Sequence, residues 1–192
     1  MQRRTLNEAT LREVCQRVPD AMNRFFDHYY ERVYGHVAYL MRDPHLAEDL
    51  TQESFLRLNH VIDRLDPERD PTAWVFTIVT NCVRDHWRSR AHQQGRRNVT
   101  MQNGGVNDLT NGRETIDKHL ERLDDQNAVR RALAELSDAD RQIILLRDYE
   151  ELETSVVALM LEATPEAIRQ RHSRAVARLG TAFAKFTERN GR

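Results

Sequence analysis

Apolar residues recur every three or four positions through Phe25, Tyr29, Val33, Val37 and Leu40. That is the period of one face of an α-helix. It predicts a long helix ending near Asp43-Pro44, where proline discourages continuation. A second helix follows, with Leu46, Leu50, Phe55, Leu58, Val61, Ile62 and Leu65 as its apolar positions. The segment Asp63 to Thr72 holds two prolines and reads as a loop. A third helix is expected from Thr72, taken as its N-cap, with Trp74, Val75, Ile78, Val79, Cys82, Val83 and His86 or Trp87 turned inward. Residues 1–20 carry no signal beyond a short helix.

The pattern then breaks. Residues 92–117 are dominated by Gly, Asn, Gln and Thr, and no apolar period survives. So long and polar a stretch reads as a flexible linker. Amphipathic spacing resumes over Leu120–Leu136. Ser137 is placed to cap a further helix, with Asp138 and Asp140 suited to the positive end of its dipole. Two helices close the chain, Thr154–Leu161 and Pro165–Phe186, separated by Glu162-Ala163-Thr164. Thr164 as N-cap and Pro165 at the first helical position are favourable choices. A short helix, a three-residue turn and a second helix form a helix-turn-helix. The expected organisation is all-α: a helical domain over 1–91, a linker over 92–119 and a helix-turn-helix domain over 120–192.

Composition agrees with this. The 192 residues include 7 glycines and 5 prolines, few for a many-turned β-fold. No apolar run is long enough to span a membrane, and the polar start MQRRTLNEATLREVC lacks the core of a signal peptide. A cytoplasmic protein without membrane insertion is expected. Cys15 and Cys82 are isolated and read as packing residues.

The net charge of -1 conceals an uneven distribution. Asp43–Asp70 holds eight acidic and three basic residues; Asn81–Arg97 holds five arginines and one acid; Ala163–Arg192 holds seven basic and two acidic residues. An acidic face followed by two basic segments suggests one protein partner and two contacts to a polyanion. All but two of the 29 basic residues, Lys118 and Lys185, are arginine. Arginine suits phosphates and base edges, although a GC-rich genome produces the same bias.

Catalysis finds little support. There is no phosphate-cradling glycine loop and no HExxH, and the eight histidines lack ligand spacing. His45 with Glu48 and Asp49 reads as a solvated helix start rather than a metal site.

Three constellations remain. Asp49, Gln52 and Glu53 share one helix face, which is either solvated or a docking surface for a basic helix. Asn81 lies mid-helix, where asparagine is a poor helix former, and Arg84, Arg88 and Arg90 follow it. The last helix carries Arg169, Gln170, Arg171, Ser173 and Arg174, a density of forks and amides that base edges and phosphates require.

The segments AEDLTQESFLRL and PTAWVFTIVTNCVRDHWRSR resemble the sigma-2 domain of the extracytoplasmic-function (ECF) sigma factors. Leu133–Leu179 resembles their sigma-4 domain, and the order and linker also fit. The resemblance implies a non-enzymatic, cofactor-free transcription initiation factor. Asp49, Gln52 and Glu53 would bind the β′ clamp helices of core RNA polymerase, whose β flap is a further expected contact. Trp74, Asn81, Arg84, Arg88 and Arg90 would hold the minus-10 element, with Asn81 capturing a flipped base. His86 and Trp87 either stack on bases or pack. Arg169, Gln170 and Ser173 would read the minus-35 element, with Arg171 and Arg174 on phosphates. The linker would run through the polymerase cleft toward the RNA exit path, and an anti-sigma factor is an expected partner. Two departures stand out. Glu162 replaces a usual glycine, which predicts a strained turn. His172 replaces a usual apolar residue, which predicts a looser seat for the last helix. The rival readings are a stand-alone helix-turn-helix regulator and a sigma-like adaptor without promoter recognition.

Overall fold

The computed structural model describes residues 6–97 and 120–190, with side chains described over 6–90 and 128–186. All regular structure among the described residues is helical. The chain divides into two compact units, Met1–Gly105 and Val106–Arg192.

The first unit begins with α1 (Glu8–Cys15), whose N-cap Asn7 accepts from the Thr10 amide at 2.8 Å. Helix α2 (Pro19–Met41) has proline at its first position. Its inward stripe is Phe25, Tyr29, Val33, Val37 and Leu40, as the spacing predicts, extended by Met22. Helix α3 (Pro44–His60) is capped by Asp43, which accepts from the amides of His45 at 3.0 Å and Leu46 at 3.3 Å. A single 3-10 turn, Ile62–Arg64, then directs Leu65 into the core.

Helix α4 (Thr72–Arg97) differs from expectation in three ways. It runs six residues into the segment assigned to the linker; the rest of that segment, 98–119, lies outside the described residues. Its cap is not Thr72, which is already helical; Asp70 accepts from the Thr72 amide at 2.7 Å, and the Pro71 carbonyl takes the Val75 amide. Its inward set includes Phe76 and Thr80, while Trp74, Ile78, His86 and Trp87 are only half-buried. Packing against both α2 and α3 gives α4 a wider buried face than an amphipathic surface helix needs. Each large apolar side chain fully buried here contributes about 1.5–3 kcal/mol.

The second unit comprises α5 (Leu120–Glu135), α6 (Asp138–Ile144, continued by a π-helical turn over Leu145–Tyr149), α7 (Thr154–Met160) and α8 (Pro165–Asn190). Ser137 caps α6 as predicted, accepting from the Asp140 amide at 3.2 Å. Ile168, Ala175 and Ala182 seat α8 in the core.

Arg141 is fully buried in this unit. Its Nε donates to the Leu133 carbonyl at 2.8 Å, Nη2 to the Leu136 carbonyl at 2.7 Å, and Nη1 to Asp138 at 3.1 Å. One guanidinium thereby adds donors to carbonyls just at the end of α5, where the helix ladder runs out; the Leu133 carbonyl also takes the Leu136 amide at 3.2 Å.

Candidate polymerase and nucleic-acid interfaces

In the first unit, Ala47, Leu50, Thr51, Ser54 and Leu58 take α3 into the core, which leaves Asp49, Gln52 and Glu53 exposed. Glu53 accepts from Arg57 at 2.6 Å, and Arg57 donates its other nitrogen to Asp85 of α4 at 2.8 Å. The Asp85 hydrogen bond is the main influence holding the Arg57 guanidinium protonated even more firmly than usual.

Between α3 and α4 lies an open groove of about 470 Å³, lined by Glu53, Leu56, Arg57, His60, Val61, Ile78 and Asn81. The fold therefore brings Glu53 and Asn81, which the sequence separates into two roles, to one groove.

Along α4, residues advance by about 100° each. Trp74, Asn81, Arg84 and Arg88 fall within roughly 80° of one another, on one side of the helix. Arg90 comes round to roughly the opposite side and does not join them. Asn81, Arg88 and Arg90 are exposed; Trp74 and Arg84 are half-buried.

The acidic loop before α4 is largely occupied with itself. Asp66 accepts from the Glu68 amide at 3.0 Å and pairs with Arg69 at 3.2 Å, while Asp70 accepts from the Thr72 amide at the start of α4. Asp66 and Asp70 are bound in local turns, so the loop's acidity has a local structural reason.

In the second unit, α7, the turn and α8 form the predicted helix-turn-helix. Glu162 has φ 53, in the left-handed region where glycine is favoured. The amide of Ala163 reaches the Ala158 carbonyl at 2.9 Å, and that of Glu162 the Leu159 carbonyl at 3.3 Å. This pair of bonds is a Schellman helix end, built without its usual glycine. Thr164 caps α8 by accepting from the Ala167 amide at 3.2 Å.

Ile168 and Ala175 point inward, so Arg169, Gln170 and Ser173 share the outward face. Arg171 and Arg174 are exposed on its flank. Glu166, which sequence reasoning passed over, sits among the first three. It accepts from Arg169 at 2.7 Å and 3.1 Å and from Gln170 at 3.1 Å. Those bonds, Arg169's first, hold its carboxyl below the usual carboxylate range. The signal was available: three- and four-residue spacing places these side chains side by side on a helix.

His172 is half-buried, and its Nε2 meets Asp148, in the π-helical turn, at 2.7 Å. A polar contact replaces the apolar one that the resemblance leads one to expect.

Among the described residues, no group of three or more His, Cys, Asp or Glu is placed to hold a metal ion. No helix among them is long and apolar enough to cross a membrane.

Comparison with known proteins bears on both surfaces. Residues 25–93 match the family model for sigma-70 region 2, and residues 132–180 that for sigma-70 region 4. The ECF RNA polymerase sigma factor SigK of Mycobacterium ulcerans is 30% identical over 164 residues, 85% of this chain and 86% of that protein. The chain belongs to the ECF sigma factors. It is a transcription initiation factor, of a class that binds core RNA polymerase and promoter DNA. This ECF sigma factor is also 25% identical to SigW of Bacillus subtilis, over 84% of this chain and 88% of that one. Its fold is that of the sigma factor RpoE solved with the anti-sigma factor NepR from Bartonella quintana (TM-score 0.64, 21% identity, 85% of this chain and 96% of that one). It is likewise that of CnrH solved with the cytosolic domain of CnrY (TM-score 0.63, 18% identity, 93% of this chain and 97% of that one).

Proposed function

We propose that this ECF sigma factor docks on core polymerase through Asp49, Gln52 and Glu53. It then reads minus-35 DNA through Arg169, Gln170 and Ser173. Arg171 and Arg174 contact phosphates, which positions α8 without specifying sequence. The observation that carries the reading is the outward face of α8. It presents an arginine fork, an amide and a hydroxyl directly after a helix-turn-helix turn.

Trp74, Asn81, Arg84 and Arg88 form the minus-10 surface. Holding an extruded base needs a polar group for its edge and apolar walls for its faces. Asn81 beside Ile78 and Val61 is suited to both. Arg90, on the other side of α4, contributes at most a phosphate contact. Two weak DNA contacts held on one polymerase reinforce each other through effective concentration. The protein acts in the cytoplasm and is not an enzyme. The anti-sigma factor NepR solved with RpoE supports an anti-sigma partner for this chain as well.

The test is binding to core RNA polymerase, wild type beside a variant with Asp49, Gln52 and Glu53 all changed to Ala, followed by transcription from selected promoters. Binding by the wild type that is lost in a folded variant is expected. A wild type that ignores polymerase yet protects a palindromic duplex would favour the stand-alone regulator instead.

A further inference from the structure

One carboxylate, that of Glu166, grips the two α8 side chains best suited to read bases. Its Oε2 takes the Nε and Nη2 hydrogens of Arg169, at 3.1 Å and 2.7 Å, and its Oε1 takes an Nε2 hydrogen of Gln170 at 3.1 Å. All three residues are exposed, so no packing imposes this arrangement.

The grip leaves defined groups free. With the Nε–Nη2 edge of Arg169 occupied, the Nη1–Nη2 edge remains, and that pair of donors matches guanine O6 and N7. Gln170 keeps its carbonyl oxygen and a second N–H, the pair that matches adenine N6 and N7. Unrestrained, both side chains would lose rotamer freedom on binding, at a cost for each group immobilised.

We infer that Glu166 is a positioning residue that sets the minus-35 specificity of this sigma factor by pre-orienting Arg169 and Gln170 together. The inference rests on the minus-35 reading proposed above. Glu166 itself touches no base in this scheme. It acts through its two neighbours, and sequence preference at two nearby positions depends on one acid.

The experiment uses holoenzyme, core polymerase with full-length sigma factor, selecting from promoters randomised across the minus-35 element. Glu166→Gln drops the charge and holds only one partner well. Glu166→Asp keeps the charge and the helix position but is one carbon too short to grip both. Both should lower preference at the positions facing Arg169 and Gln170 by about 5- to 10-fold, part of what a bidentate base contact supplies. Preference elsewhere and affinity for core should not change. Arg171→Ala, by contrast, should weaken all sequences alike.

Unchanged preference in both Glu166 variants would overturn the inference and leave the promoter reading intact. So would a uniform gain in binding, which would make Glu166 only a charge that repels phosphate. Full preference in Glu166→Asp with loss in Glu166→Gln would assign the effect to charge rather than to the double grip, and would also overturn it. A wild-type holoenzyme with no minus-35 preference would bring down the promoter reading, and this inference with it.

Discussion

Arg57 of α3 donates to Asp85 of α4 at 2.8 Å, and its other nitrogen holds Glu53, one of the proposed polymerase contacts, at 2.6 Å. A cation inside the acidic face thus competes with any basic partner for Glu53. The Arg57 side chain is 39% exposed, so solvent screens both pairs and together they contribute at most about 1 kcal/mol to stability. Arg57→Met should therefore leave folding nearly intact. It should speed association with core polymerase about 2- to 5-fold at low salt, since charges at an interface rim act mainly on the on-rate. Stopped-flow association across a salt series measures this; a slower on-rate would show that Arg57 itself contacts the partner.

Glu162 occupies the left-handed position of the α7 helix end. A side chain there costs roughly 1–2 kcal/mol relative to a helical conformation, and glycine escapes most of that. Glycine also loses more chain entropy on folding, which offsets part of the gain. Glu162→Gly should raise the stability of the second unit by about 0.5–1 kcal/mol, read from chemical denaturation. Minus-35 binding should be unchanged, because the turn geometry is already the one glycine favours.

His36 lies fully buried beside Phe76, ring centroids 5.1 Å apart, and neither ring nitrogen meets a hydrogen-bond partner. Burial lowers its pKa from 6.5 to about 3. The folded state keeps the ring neutral, whereas the unfolded chain takes up a proton below pH 6.5. The stability conferred is therefore fully present above pH 6.5 and is lost as pH falls toward 3. The slope approaches about 1.4 kcal/mol per pH unit, so roughly 2 kcal/mol is lost by pH 5. Denaturation of wild type and His36→Leu between pH 5 and 8 tests it. The variant should lack this component of the slope, and parallel curves would count against it.

Arg141 donates to two carbonyls at the end of α5. Arg141→Met keeps most of the volume but removes a charged donor from both carbonyls, the Leu133 carbonyl retaining the Leu136 amide at 3.2 Å. A hydrogen bond from a charged group is worth about 1.5–3 kcal/mol. The second unit should lose about 1.5–3 kcal/mol and the first should be unaffected. Two denaturation transitions, of which only one shifts, are the expected record.

The helices were legible because each carries local signals. Ser137 and Thr164-Pro165 start helices by chemistry confined to a few adjacent residues, whereas Asp43-Pro44, read only as the end of α2, also caps α3. The exposed Asp49–Gln52–Glu53 and Arg169–Gln170–Ser173 faces were equally legible, since helical spacing alone places them. Thr72 reads as a cap by residue type, and only the backbone path shows that it is already helical, its amide taken by Asp70.

What the sequence by itself determined was therefore local: which stretches are helical, where they start and stop, and which side chains share a face. Tertiary structure decided the long-range partnerships. Arg57 with Asp85, His172 with Asp148, and Asn81 in one groove with Glu53 join residues too far apart in sequence for any helical period to relate. Tertiary packing also decided that Phe76 would be core and Trp74 half-buried, because α4 meets two helices at once. The physical reason is the same in each case. Hydrogen-bonded helical geometry is set within four residues, whereas burial and ion pairing depend on which helix lies opposite.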